Sequence, residues 1–445
     1  MPMTTDTAAR LLRGAFDGNL HLPGDERYDA ERLAWNRVLD PRPALVAEAA
    51  HIRDVRAAVM AAREHGLPFA VQATGHGTHV PADGGLLLKT SRLAAVHVDP
   101  GRRTARAEPG ALWSDVIAAA APYGLAPLSG TPAIGVTGYT LGGGTGWLSR
   151  LHGYAADNLL RAELVTAGGE TVVAGPSEHP ELFWALRGGG GNFGVVTSLE
   201  FRLHPVAEVY AGMTLHSVDR AAATLARYRE WASTEPDELN TSIILMRMPG
   251  SRDGWALAVR ACHAGPAEEG RRLLAPLLEA AGPVTAGGFA AMTFGEAATA
   301  FGGPEPRPTA LRQHLELLHQ VPDDAIETIL TATGSPVTAV ELRHWGGAMA
   351  RPAPDAGPVG HRDVPFSVIA TAMLDGPDEP ARSYLRELAA GLRPHATGGS
   401  FLNFLTDPAR TRDAYTAADH ERLTRVKRDW DPDNLFGHTH NIPPA

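Results

Sequence analysis

Short apolar runs broken by glycine turns dominate the first two hundred residues. Residues 43–47, 69–72, 86–88, 95–98 and 104–107 read as strands. Asp54 opens a helix through Val55, Val59 and Met60, which Gly66 stops with Pro68 just beyond. Residues 113–123 form a second helix pattern, ended by Gly124. Residues 159–166 and 171–173 read as strands either side of the turn Ala167-Gly168-Gly169-Glu170. A short helix at 181–187 precedes a β-branched strand at 195–203. Beyond Pro205 the character changes. Helix-like segments (221–232, 268–281) alternate with strand-like ones (242–248, 256–261, 365–373), and 301–308 and 351–358 read as loops. A last helix is expected at 417–428, and a short amphipathic one in the arm before Phe16, through Leu11 and Leu12. The pattern predicts an α+β chain divided into 1–205, 206–398 and 399–445.

Three glycine-bearing turns interrupt this pattern, at 73–79, 128–146 and 188–194. The middle one carries Gly130, Gly135, Gly138, Gly142, Gly143, Gly144 and Gly146. In a helix or strand interior each glycine costs about 0.5–1 kcal/mol, so such density marks positive φ or close approach to another group. Backbone amides in such turns form concave anion sites. The stretch therefore reads as a loop against a dinucleotide pyrophosphate, or else as a glycine-rich surface loop. Gly189, Gly191 and Gly194 fit G-x-G-x-x-G, but a helix-like run precedes them and a strand follows. That order is the reverse of a Rossmann site. No Walker A sequence is present.

Charge and cysteine content narrow the function. The chain has 445 residues and a net charge of −10, which argues against nucleic acid or an anionic membrane as partner. Its one cysteine, Cys262, excludes an intrachain disulfide and a cysteine-based zinc site, and no metal is expected. No apolar run approaches the roughly 18 residues of a spanning helix. A cytoplasmic protein is expected.

Residues 69–76, the 130–146 loop with Tyr154-Ala155-Ala156-Asp157-Asn158, and residues 187–196 resemble the flavin-binding core of vanillyl-alcohol-oxidase-type flavoproteins. The nearest branch is the berberine-bridge-enzyme-like oxidases, which include bacterial hydroxynicotine oxidases. The tail run 426–436 and Asn441-Ile442 extend the resemblance over nearly the whole chain. It implies a PCMH-type FAD-binding domain of two α+β subdomains, and a substrate domain whose antiparallel sheet is covered by helices. By the same resemblance His76 bonds the flavin 8α-methyl carbon, although the family's Arg-Ser-Gly-Gly-His is here Gln72-Ala73-Thr74-Gly75-His76. The position of the second, cysteinyl link in many relatives is Thr131, which supplies no thiolate. The further FAD contacts implied are Thr74, Gly75, Gly77, Thr78, Thr137, Gly138, Thr140, Gly142, Gly143, Asn158, Gly190, Asn192, Asn441 and the backbone of Val196.

Oxidising a C–H next to oxygen or nitrogen needs hydride transfer to the flavin and, usually, a base. Many relatives use a tail tyrosine; here the segment is Ser400-Phe401-Leu402-Asn403-Phe404. Asn403 and Tyr139 remain as polar candidates near the ring. His344 is a candidate base, with His361, Glu341 and Arg343 as others, and Trp345 and Phe366 as pocket walls or core. The expected activity is an FAD-dependent oxidase acting on an alcohol or amine carbon of a small secondary metabolite, with molecular oxygen as acceptor. A dehydrogenase or oxidative cyclase of the same class, or a flavoprotein without catalysis, stays open.

Overall fold

Strand pairing in the computed structural model, which describes Leu12 and residues 14–248, 254–302 and 308–445, builds three sheets. Most of the expected N-terminal helix, with Leu11, and residues 303–307 of the expected loop lie outside the described residues. Leu12 and Phe16 are buried among Leu45, Val55 and Phe69.

The first sheet has the order β1 (Asn19–His21), β2 (Leu45–Glu48), β4 (Leu86–Lys89), β3 (Phe69–Gln72), with β4 parallel to both neighbours. A parallel pair needs a crossover. The helix Ile52–His65 carries the chain from β2 to β3, which flank β4, and buries Val55, Ala58, Val59 and Ala62. Gly66 ends that helix at φ +60°, a conformation only glycine adopts freely. The second sheet is antiparallel, ordered β5 (Val96–Asp99), β6 (Thr104–Ala107), β9 (Val195–Arg202), β7 (Leu159–Val165), β8 (Thr171–Ala174).

The third sheet is antiparallel, with seven strands in the order β13 (Ala286–Thr293), β10 (Glu208–Ser217), β12 (Trp255–His263), β11 (Leu239–Arg247), β15 (Ala339–His344), β16 (Phe366–Met373), β14 (Leu311–Leu318). Alternation along the strands gives its faces opposite characters. Ile243, Val259, Leu342 and Val368 share a core with Leu225, Leu274, Ile326 and Leu385, which come from four covering helices. Ser242, Arg260, Arg343 and Ser367 stand in register on the opposite face. This is the α+β arrangement that the resemblance implied.

Three features depart from the sequence reading. The 128–158 stretch is not loop throughout, because it holds the short helices Val136–Leu141 and Ser149–His152. Val136, Tyr139 and Leu141 are buried there, and packing outweighs the cost of Gly138 in the helix. Strands β1, β10, β13 and β14 and the helices Asp323–Leu330 and Glu379–Leu392 were not anticipated. β13 contains Gly287 and Gly288, is largely exposed and shows no alternation to read. Finally, the helix Phe294–Gly302 lies in the 206–398 segment, yet Phe294, Ala297 and Ala298 pack into the core of the first half with Trp113 and Phe201.

The tail also returns to the first half. Leu423, Val426 and Ile442 join that core, and Phe436 packs edge-on against Phe69 with ring centroids 5.9 Å apart. No described helix is long and apolar enough to cross a membrane.

Candidate active site

The three glycine turns converge. Gly75, at φ +78°, lets the turn after β3 pass the Ala34 backbone, which a Cβ would meet at 2.8 Å. A Cβ on Gly135 would sit 3.5 Å from Thr74, so the first turn meets the second. The Gly190 amide donates to the Leu141 carbonyl at 2.9 Å, which brings in the third.

Where they meet, the glycines fall into two groups. Cβ atoms on Gly77, Gly138 and Gly191 would meet nothing within 4 Å. Gly77 and Gly191 face one cavity of about 100 Å3, lined also by Gln72, Thr78, His79 and His440. Two polar oxygens next in sequence to residues of this open ground, Thr137 Oγ1 beside Gly138 and Asn441 Oδ1 beside His440, are buried without a partner among the described residues. Buried polar atoms are ordinarily satisfied, so unpaired ones next to bare backbone mark a place for a hydrogen-bonding ligand. These residues fit a dinucleotide. Gly142, Gly143 and Gly144 differ, since their Cβ positions fall against Asn403 (2.5 Å), Phe401 (2.9 Å) and the Tyr139 ring (2.4 Å).

His76 closes one end. Its ring stacks on Trp35 at 4.1 Å and 13°, and Nδ1 lies 3.3 Å from Thr74 Oγ1. Burial pushes the imidazole down to about 4, so it is neutral at pH 7 and keeps a nitrogen lone pair. The edge of Val196 that faces away from β7 has no strand beside it, because β6 reaches only as far as Leu199.

Residues 43–175 match the family described as FAD binding domain, and residues 400–443 match the one described as berberine and berberine like. (R)-6-hydroxynicotine oxidase of Paenarthrobacter nicotinovorans is 30% identical over 460 residues, which cover 97% of each chain. The chain belongs to the berberine-bridge-like FAD-linked oxidoreductases. An uncharacterised FAD-linked oxidoreductase of Bacillus subtilis (strain 168), YgaK, is 31% identical over 96% of this chain and 97% of its own. The crystal structure of 6-hydroxy-D-nicotine oxidase from Arthrobacter nicotinovorans has the same fold, with TM-score 0.87 and 28% identity over 97% of this chain and 99% of that one.

Within this FAD-linked oxidoreductase, several residues expected to contact cofactor or substrate are otherwise engaged. Asn158 donates to the carbonyls of His152 (2.9 Å) and Tyr154 (3.1 Å), and its oxygen faces His204 Nε2 at 3.1 Å. Asn192 donates to Gly189 and His440 and accepts from the Ile442 amide at 2.9 Å. Both amides are fully occupied and act as clamps. The Thr140 hydroxyl donates to Val136 within its own helix at 2.8 Å. The Gly142 and Gly143 amides bond the carbonyls of Gly138 and Thr140, so neither is free for a phosphate. Asn403 Nδ2 donates to the Tyr139 carbonyl at 3.1 Å and Oδ1 accepts from Gly144 at 2.9 Å. It positions the loop instead of standing over a ring with both ends free.

His344 is a larger correction. It alternates with Arg343 onto the helix-covered face, where Nδ1 lies 2.5 Å from Glu235 Oε2 and 3.1 Å from Arg150 Nη1. Its ring is taken up by this buried group and stands on the opposite sheet face from Arg343. His361 faces the Asp413 carbonyl at 2.8 Å. Trp345 is core, its indole donating to Ser367 Oγ at 2.7 Å, and Phe366 packs under the helices. The Tyr139 phenol is buried without a partner among the described residues, and burial pushes its pKa upward.

Sequence reasoning missed Trp35, which lies in the arm far from any glycine turn and carries no local signal. It also missed Arg260. The alternation of β12 placed that residue on the polar sheet face and would have revealed it.

Proposed function

We propose that this FAD-linked oxidoreductase is an oxidase carrying its cofactor on His76 alone, which removes a hydride from an alcohol or amine carbon of a small metabolite, with molecular oxygen as final acceptor. When bound, the flavin supplies an oxidised ring that accepts hydride at N5 and an 8α-methyl carbon open to nucleophilic attack. Residues 1–205 and 399–445 hold it, and 206–398 carry the substrate face.

The observation that carries this reading is the neutral imidazole of His76, stacked on Trp35 and next in the chain to the open Gly77. A neutral ring nitrogen is the nucleophile that such a link requires. Thr137 and Asn441 offer their unpartnered oxygens to the cofactor's polar edges. A second link has no donor: Thr131 is a hydroxyl, and Cys262 is buried with its thiol pushed up to about 12. Two titratable groups of the sheet face and the glycine helix, Glu341 and Tyr139, are poor bases. Two guanidiniums hold Glu341 down at about 2, and Tyr139 stays protonated. That favours a C–H beside a neutral amine nitrogen, whose own lone pair assists hydride loss.

Acid denaturation followed by gel filtration tests the link. The wild-type chain should keep its yellow chromophore, and His76→Ala should release FAD. Free flavin from the wild type would contradict the link. Anaerobic bleaching by an amine or alcohol, reversed by air with release of hydrogen peroxide, tests the oxidase activity. Flavin that stays reduced in air would point to another acceptor.

A further inference from the structure

The richest chemistry outside the cofactor cradle lies on the polar face of the seven-stranded sheet. Arg260 on β12, Ser242 on β11 and Arg343 on β15 stand in one cross-strand row, with Glu341 two residues along β15 on the same face. That face looks toward the glycine loop. The Arg260 guanidinium sits 4.6 Å from the ring centre of Trp147, which follows Gly146 directly, and Arg343 sits 6.0 Å from it. Asn240, on the same face, donates to the Gly146 carbonyl at 3.5 Å.

Bonding in this group is lopsided. Arg260 Nη2 and Arg343 Nε both donate to Glu341 Oε1, at 2.6 and 2.9 Å. One carboxylate thus serves two guanidiniums, all three side chains about 15% exposed, which leaves one positive charge in excess. Arg260 has a further bond to Ser242 Oγ at 3.3 Å. The two terminal nitrogens of Arg343 have no hydrogen-bond partner among the described residues. A guanidinium fork matches a carboxylate in shape and charge. Those Arg343 nitrogens are not fully enclosed, so an anion reaching this face can complete the fork. Ile369 and Leu315 share the row of Glu341, and the row beyond adds the neutral polar groups Gln313 and Thr371 and no second acid.

We propose that Arg343, braced by Glu341 and Arg260, binds the carboxylate of the substrate, which is therefore a small organic acid oxidised at a carbon near that group. The proposal rests on the reading that this sheet face covers the flavin. It goes beyond it by fixing the substrate's charge.

Benzoate and its neutral analogue benzamide are suitable probes. The purified holoprotein is titrated with each, read by perturbation of the visible flavin band and, independently, by calorimetry. Benzoate should bind saturably and at least about 10-fold tighter than benzamide, since a hydrogen bond to a charged group carries roughly that factor. Arg343→Gln, which keeps the Arg260–Glu341 pair, should remove the preference. Arg343→Lys, with the charge but not the fork, should retain part of it. Arg312→Gln, whose partner Asp378 lies on the other side of β14, should bind as the wild type does. Equal binding of both probes, no saturable benzoate binding, or an unchanged preference in Arg343→Gln overturns the proposal. A colourless protein would instead overturn the cofactor reading, and the calorimetric titration would still report on Arg343.

Discussion

Thr137 and Tyr139 stand on one short helix with buried oxygens that bond to nothing among the described residues. For Thr137 a cofactor is the natural partner. Tyr139 has its ring packed edge-on against Trp113 at 5.4 Å and against the glycines at 130 and 144, so its shape matters more to the fold than its hydroxyl. An unsatisfied buried hydroxyl costs about 1–3 kcal/mol. Tyr139→Phe is therefore expected to leave the thermal midpoint unchanged or raise it, whereas Tyr139→Ala should lower it sharply. Histidines make the second residue-scale case. His204 stacks on His152 at 3.7 Å, and burial followed by that neighbour pushes it down to about 3; burial, with His440 adjacent, pushes His79 to about 4. Unfolded, both titrate near 6.5, so between these values the unfolded chain binds more protons. Stability is complete above about pH 6.5 and falls as pH drops toward 4. Unfolding midpoints measured from pH 8 to pH 4 should show the loss, and His204→Gln should flatten it. Residue chemistry was only partly legible in the sequence. The open glycines and His76 could be picked out by type. Asn158, Asn192 and Asn403 could not be assigned, because an amide's role is set by partners, and Asn192 meets Ile442 and Asn403 meets Gly144 only after folding.

At the scale of elements, strands and helices with clean periodicity matched their expected places within a few residues: 69–72 as β3, 104–107 as β6, and the helix ended by Gly66. Elements whose stability comes from their neighbours were illegible. β13 is held by β10 along eight paired positions despite its two glycines, and Val136–Leu141 is helical because its apolar side chains are buried. The tail helix Ala417–Trp430 depends on an internal pair. Lys427 Nζ lies 2.6 Å from Asp431 Oδ2 and 2.8 Å from the Asn192 carbonyl, with both charged side chains fully buried. Asp431 also accepts the amides of Leu435 and Phe436, at 2.8 and 2.9 Å. Breaking a buried pair from one side strands the other charge. Lys427→Met should cost about 3–5 kcal/mol, read as a lower urea midpoint at unchanged slope.

Across the whole molecule, Arg150 joins the cofactor half to the seven-stranded sheet. From the helix Ser149–His152 it donates to the carbonyls of Leu239 (2.8 Å), Glu235 (2.8 Å) and Trp345, and stands 3.7 Å from the Glu235 carboxylate. Arg150→Met should destabilise by about 3–5 kcal/mol and uncouple the halves. Scanning calorimetry would show one sharp transition in the wild type and a broadened or split one in the variant. The grip of Asn192 on His440 and Ile442 has a consequence for biogenesis. A ribosome releases residue 192 long before residue 442, so while the intervening chain is made this clamp stands open and Thr137 lacks its counterpart Asn441. A complete cradle for the coenzyme is thereby deferred until synthesis has passed the seven-stranded sheet, and an interrupted translation product is left without the finished site.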